Sequence, residues 1–486
     1  MNGHVPASSI EGRSSVPKPE TLSGNLGTFD IVFTVLAYNA PLTVVMGFLA
    51  LIVSLGNGLG APITFLIAGG LMLLFAVGFT TMSKHVPNAG AFYAYVTAGL
   101  GKELGFGSAL MAILAYAFMM VGIYLYAGMI YSNLVMQIFN SAPYVWWAYS
   151  LALLAIVSML GYLRITLSAK LLTIALVCEV VMVLCWQVAV VSAKGPVGMS
   201  PSWMTLDAVT SGSLGIGLLL GVTSFAGFEA TAVFREEARN PSVTIPRATY
   251  SAVILLSMLF ASSAYAYICG FGPEVALSRS SADPSTAALE SIGLFLGNTG
   301  KQAVSFLLCS SIFACALALH NIVARYIYCL GIDGAIPRGL AAVHVRHGSP
   351  HRASMLVSIV MLVVLIALVI ADIEPYAGYG ALTGTGGYVL LILLVLTSLS
   401  VVTFFAGKSV TSSRWKTLYA PFLSFLALAV VGVLATINMD VLTGNLQAAV
   451  LLLLSIASTL IGGCLYARWL KAERPEIYQG IGRQKL

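Results

Sequence analysis

The feature that most constrains this chain is a recurring apolar stretch about as long as a bilayer is thick. A spanning helix needs roughly 20 predominantly apolar residues. Candidates fall at 29–55, 62–83, 105–137, 145–163, 168–193, 213–235, 246–272, 302–331, 352–371, 382–406, 415–438 and 447–470. Only 9% of the 486 residues are charged, against about 25% in soluble domains. The chain lacks the groups to cover a water-facing surface. The expected fold class is an all-α polytopic membrane protein with about twelve spans.

Charge then sets orientation. With the N-terminus in the cytoplasm, only Lys194, Arg279 and Lys301 of the 24 Lys and Arg fall outside. Moving the span count by one destroys this asymmetry, so it supports both the count and the direction. Trp146 and Trp147 fit an interfacial belt at the outer end of span 4. No cleavable signal peptide is evident, and residues 1–26 read as a disordered cytoplasmic tail. The seven Cys lie in apolar stretches without a CxxC pair and read as small buried hydrophobes.

Two features occur twice. Span 1 carries "AYNAPLT" (37–43), with a proline in mid-helix, and span 6 carries "SFAGFEA" (224–230), with a glycine. Both residues weaken the hydrogen-bond ladder of a helix. A short amphipathic stretch precedes span 3 (91–106), and a similar one precedes span 8 (285–302). An offset of five spans inverts the second copy, which is the pattern of an inverted-repeat secondary transporter with discontinuous helices. Residues 27–200 are the expected first repeat and 205–406 the second. Residues 407–470 hold two peripheral spans, and 471–486 form a cytoplasmic tail.

Three separated stretches carry a resemblance. "GFEATAVFREEARNPSVTIPRA" (227–248) resembles the span-6 signature of the amino acid–polyamine–organocation superfamily. "ARYIYCLGIDGAIPRGLAAVHVRHGSPHRA" (324–353) resembles its loop between spans 8 and 9, and "VPNAGAFYAYVTAGLGKELGF" (86–106) its loop between spans 2 and 3. The resemblance covers about residues 27–405. It implies two inverted five-helix repeats, alternating access, and a substrate held between spans 1 and 6 with help from 3, 8 and 10. Amino acid permeases of this family usually carry a glycine-rich break in span 1 whose bare amides bind a carboxylate. Here "YNAPLTVVMG" (38–47) has bulkier residues and is similar to the break of putrescine importers.

The substrate-binding residues so implied are Tyr38, Asn39, Ala40, Pro41 and Thr43 in span 1. Span 6 adds Ser224, Phe225, Ala226, Gly227 and Phe228, and span 3 adds Tyr116. The aromatic rings of spans 3 and 6 can hold an ammonium group by cation–π contact, with packing as the alternative. Glu229 lies past the expected break in span 6. An ionised carboxylate in hydrocarbon costs at least a few kcal/mol, so it must be protonated, paired or next to water. Proton coupling or pairing with an amine is one reading, and a structural carboxyl bonded to broken backbone of span 1 or 7 is the other. Glu179, the single acidic residue in span 5, is the second proton-coupling candidate. In the superfamily that the chain resembles, several proton-coupled members carry a lysine at this position in place of a sodium ion. A glutamate takes up a proton or helps bind a cation with span-8 hydroxyls, or else makes a helix–helix hydrogen bond. His320 in span 8 is a weaker candidate. Asp30, Arg235, Glu236, Glu237 and Arg239 are the expected inner gate, with Arg247 and Asp333 as further partners.

HExxH, GxSxG and Walker patterns are absent, which argues against an enzyme or direct ATP drive. No repeated filter or charged ring suggests a channel. The expectation is a secondary active transporter of amino acids or related small amines in the plasma (inner) membrane, with both termini cytoplasmic. Coupling is expected to be to protons, or to sodium; a polyamine permease or an uncoupled exchanger is the alternative. The lipid bilayer is its other partner. No nucleic acid, cofactor or metal is expected, and the carrier is a monomer or a homodimer.

Overall fold

A computed structural model describes residues 26–86, 91–141, 145–163, 169–198, 205–229, 231, 238–344, 348–406, 408 and 413–482. Among them ten helices are long and apolar enough to cross a membrane. A bent pair, Thr28–Asn39 and Pro41–Leu55, makes an eleventh span, and Leu214–Thr223 is the helical first part of the expected span 6. The all-helical polytopic class holds, and the described spans fall where the sequence places them. Residues 1–25, and with them nearly all of the expected disordered tail, lie outside the described residues.

The contacts follow the inverted repeat. The first half of span 1 packs on span 7 (Pro241–Phe271), and the first half of span 6 packs on span 2 (Gly58–Ser83). Span 3 (Lys102–Phe139) packs along span 10 (Pro375–Ala406), and span 8, within Ala287–Ile332, packs on span 5, within Ala169–Gly198. Each contact becomes the other when every span is exchanged for its counterpart five places away. Spans 3 and 7 bury 72% of their most apolar window against protein, while span 12 (Leu446–Glu473) buries 17%. Span 12 is therefore peripheral, and its apolar surface is matched by lipid rather than by a core.

The amphipathic stretches are helices as well. Ala91–Leu100 turns into span 3 at Gly101, whose φ of 97° is open to glycine. The second runs from Ala287 and bends at Gly297, φ 71°, before span 8 proper. The C-terminal segment expected as a cytoplasmic tail carries further structure. Pro475–Gly480 is a short helix, and Ile481 is buried with Tyr93, Phe106, Leu330 and Ala335.

Candidate substrate site at the two helix breaks

Span 1 breaks where the sequence places its proline. Asn39 ends the first half, Ala40 takes a left-handed conformation (φ 52°, ψ 67°), and Pro41 opens the second half at an angle of 44°. Pro41 has no N–H to continue the ladder, and a residue before proline is driven out of the right-handed helical region. The first hydrogen bond of the second half runs from Val44 N–H to Ala40 O, at 3.3 Å. Span 6 stops at Thr223 and continues as tight turns through Glu229, with Gly227 at φ 100°. A side chain at Gly227 meets nothing closer than 3.7 Å, so backbone conformation, not crowding, calls for glycine there.

One side chain joins the two breaks. Asn39 Nδ2 donates to Ser224 O at 2.8 Å and to Ala226 O at 3.0 Å. A continuous helix would pair Ser224 O with the Phe228 N–H, which here goes to Phe225 O instead. Asn39 Oδ1 is buried and has no hydrogen-bond partner among the described residues. Glu229 closes the span-6 turn from below. It accepts the Gly227 N–H at 2.9 Å and a short hydrogen bond from the Tyr116 hydroxyl of span 3. The Tyr116 ring stacks on Tyr326 of span 8, centroids 6.2 Å apart. The Glu229 carboxylate is thus tied to its own break and to span 3, not to span 1 or 7.

Glu179 stands at the other break. Thr43 donates to Ser311 Oγ at 3.1 Å, and Ser311 donates to Glu179 Oε2, also at 3.1 Å. The Glu179 carboxylate also faces the backbone amide of Leu42, in the first turn after Pro41. Glu179 and Glu229 are each 5% exposed, and neither forms a salt bridge among the described residues. Among the described residues no group of three or more His, Cys, Asp or Glu is placed to hold a metal ion.

Other expected residues stand elsewhere. Phe225 and Phe228 are fully buried with their rings on Phe260 of span 7 and on Phe75 and Phe79 of span 2. These two rings anchor the break to the neighbouring spans. Ala40, Pro41 and Thr43 are buried at the span-1 break, Tyr38 is half-buried, and Ser224 Oγ turns back to Leu220 O at 2.8 Å. Tyr124 and Tyr126 are buried in span 3, Tyr126 stacked on Tyr379, and Tyr131 donates to Cys309 O. His320 bonds Ser354 Oγ of span 9 at 2.8 Å, away from both breaks. Asp30 accepts the Gly27 N–H at 2.9 Å and caps its own helix, while Arg239 is exposed. Neither forms a salt bridge among the described residues. Arg235, Glu236 and Glu237 lie outside the described residues. Ser311, Tyr326 and the unpartnered Asn39 Oδ1 are the features that sequence reasoning did not single out. The only signal for Ser311 is the pair of hydroxyls at 310–311 in an apolar helix.

The amino acid permease profile matches residues 30–479. The chain belongs to the amino acid permease family. Its relatives include carriers of amino acids and of putrescine. A low-affinity putrescine importer of Escherichia coli K12, PlaP, is 24% identical over 347 residues, 69% of this chain and 73% of that one. A branched-chain amino acid permease of Lactococcus lactis, BcaP, is 23% identical over 354 residues, 70% of this chain and 74% of that one. An L-lysine transport protein of Corynebacterium glutamicum is 27% identical over 319 residues, 63% and 60% of the two chains. A crystal structure of a manganese transporter from Eremococcus coleocola shares the fold with a TM-score of 0.56 at 13% identity, covering 92% of this permease and 96% of that chain. The permease is a multi-pass membrane transporter for amino acids or amines.

Proposed function

We propose that this permease is a secondary active importer of amino acids or related small organic amines, working by alternating access and coupled to protons. It sits in the plasma (inner) membrane with both termini in the cytoplasm. Substrate lies against Tyr38–Thr43 and Ser224–Phe228, where two broken helices expose backbone groups, with Tyr116 at its side.

The observation that carries this reading is Glu229. A carboxyl group buried between a broken helix and a tyrosine, without a salt bridge among the described residues, needs a proton or a cationic substrate to be stable. A site that opens to each side in turn lets that partner exchange. The test is uptake of labelled amino acids and diamines into proteoliposomes in sodium-free buffer, with and without an inward proton gradient. Gradient-driven uptake that Glu229→Gln abolishes is expected. Full pH-dependent transport by Glu229→Gln overturns the proton role of this residue.

The amine branch of this reading has support of its own. The break in span 1 lacks the glycines usual in amino acid permeases, and one relative of the chain is a putrescine importer.

A further inference from the structure

We infer that Tyr326 is a positioning residue for the Tyr116–Glu229 pair, and that the C-terminal segment seats its ring through the packing of Ile481. The inference rests on the transport reading above and adds to it a coupling between the cytoplasmic end of the bundle and the substrate site.

Among the described residues the buried apolar side chains form two clusters. The large one fills the bundle. The small one lies at the cytoplasmic end and includes Tyr93, Phe106, Leu330, Ala335, Leu470 and Ile481. Three partly buried side chains, Ile113, Tyr326 and Ile336, pack against both. Tyr326 also stacks on Tyr116, with centroids 6.2 Å and planes 28° apart, and Tyr116 donates to Glu229. Tyr326 is only half-buried, so its ring takes the orientation that its neighbours impose. Close-packed side chains pass a displacement on rather than absorb it. A change in the small cluster therefore reaches the hydroxyl that holds Glu229.

Ile481 is the keystone of that cluster on the C-terminal side. It is 1% exposed, whereas the Pro475–Gly480 helix before it buries no residue. Polar contacts aim the segment. Lys102 Nζ donates to Tyr478 O at 3.1 Å and to Gln479 O at 2.8 Å, a cation at the negative end of the short helix. Gly482 N–H donates to the Tyr93 hydroxyl, which donates to Asp333 Oδ2, each at 2.7 Å. Lys471 pairs with Glu103 at 3.3 Å. Exposed ion pairs of this kind hold weakly, so the buried Ile481 decides whether the segment stays seated. Its loss frees the segment without touching a spanning helix.

Two measurements on the full chain in proteoliposomes test this. Hydrogen–deuterium exchange follows the span-6 turn, Ser224–Glu229, whose Gly227 amide Glu229 holds. Ile481→Asp puts a carboxylate into the apolar cluster and is expected to expose residues 475–482 to protease. Exchange at the turn is then expected to rise by about threefold or more. Tyr116→Phe alone is expected to raise it likewise, and Ile481→Asp to add less than about twofold on that background, because the two act through one bond. Uptake of labelled putrescine and L-leucine is expected to fall by about threefold or more in Ile481→Asp and in Tyr326→Leu. Tyr326→Phe, which keeps the ring, is expected to recover to within about threefold of wild type. Faster exchange confined to residues 475–482 and the helix Ala91–Leu100 overturns the inference and leaves the transport reading standing. So does an equal fold-loss from Ile481→Asp with and without the Tyr116 hydroxyl, or a segment that stays protected in Ile481→Asp. Exchange needs no substrate, so it decides the inference even where neither solute enters, an outcome that counts against the transport reading alone.

Discussion

Asn39 and Ser224 lie 185 positions apart in sequence, yet the Asn39 side-chain amide donates to the Ser224 carbonyl at 2.8 Å. The bond joins the end of one broken helix to the break in the other. It satisfies a carbonyl that a continuous span 6 would have paired internally, so each break stabilises its counterpart.

Asn39→Ala removes this bond and the one to Ala226. The buried Ser224 carbonyl then lacks a donor, at a cost of about 1–3 kcal/mol if water does not replace it, and the half-buried Ala226 carbonyl loses its donor as well. Thermal unfolding in detergent is expected to fall accordingly, and uptake by at least about tenfold. Asn39→Asp is expected to be worse, because a carboxylate facing two carbonyl oxygens repels both. A wild-type unfolding temperature in Asn39→Ala would show that the bond does not hold the breaks together.

Tyr116→Phe keeps the ring and its stack on Tyr326 but deletes the donor to Glu229. Hydrogen bonds to charged groups contribute roughly 1.5–3 kcal/mol. Initial uptake is expected to drop by about tenfold or more. Tyr326→Phe, which leaves the bonds of Glu229 to Tyr116 and Gly227 in place, is expected to stay within about threefold of wild type. Equal losses in the two variants would assign the effect to packing.

Ala40 carries the left-handed conformation that the span-1 break needs. That conformation costs a residue with a Cβ roughly 1–2 kcal/mol. Ala40→Gly is expected to recover about 1 kcal/mol in unfolding measurements, and Ala40→Val to lose at least as much. Gly227→Ala, at φ 100°, is expected to cost about 1–3 kcal/mol through backbone strain, since the space itself is free.

At the cytoplasmic end, the Tyr93 hydroxyl donates to Asp333 Oδ2 at 2.7 Å and accepts the Gly482 N–H at 2.7 Å. The clip fastens the chain end to the loop after span 8. Burial, and then the Asp333 carboxylate, push the Tyr93 phenol above its ordinary value near 10. A raised phenol stabilises the clip fully below about pH 10, and the contribution is lost as pH climbs beyond that. Limited proteolysis of the C-terminal segment is expected to accelerate above about pH 10 in the wild type. Tyr93→Phe is expected to be cleaved faster at every pH, with a flatter profile. An unchanged cleavage rate in Tyr93→Phe would rule out the clip.

The sequence by itself determined the membrane architecture. Twelve apolar stretches of bilayer length admit only helices, because lipid offers no partner for backbone amides and carbonyls. It also determined where two of those helices break, since Pro41 removes a donor and Gly227 relaxes the backbone. The carboxylates Glu229 and Glu179 were legible as charges that hydrocarbon does not tolerate unpaired. Only the tertiary structure decided what they touch. Tyr116 reaches Glu229 from 113 positions away and Ser311 reaches Glu179 from 132. Phe225 and Phe228, adjacent to the break in sequence, turn onto spans 7 and 2 instead. The physical reason is that local pattern sets which backbone bonds a segment can make. The rotation of each helix about its axis, and hence the direction of each side chain, is fixed by packing across the whole bundle.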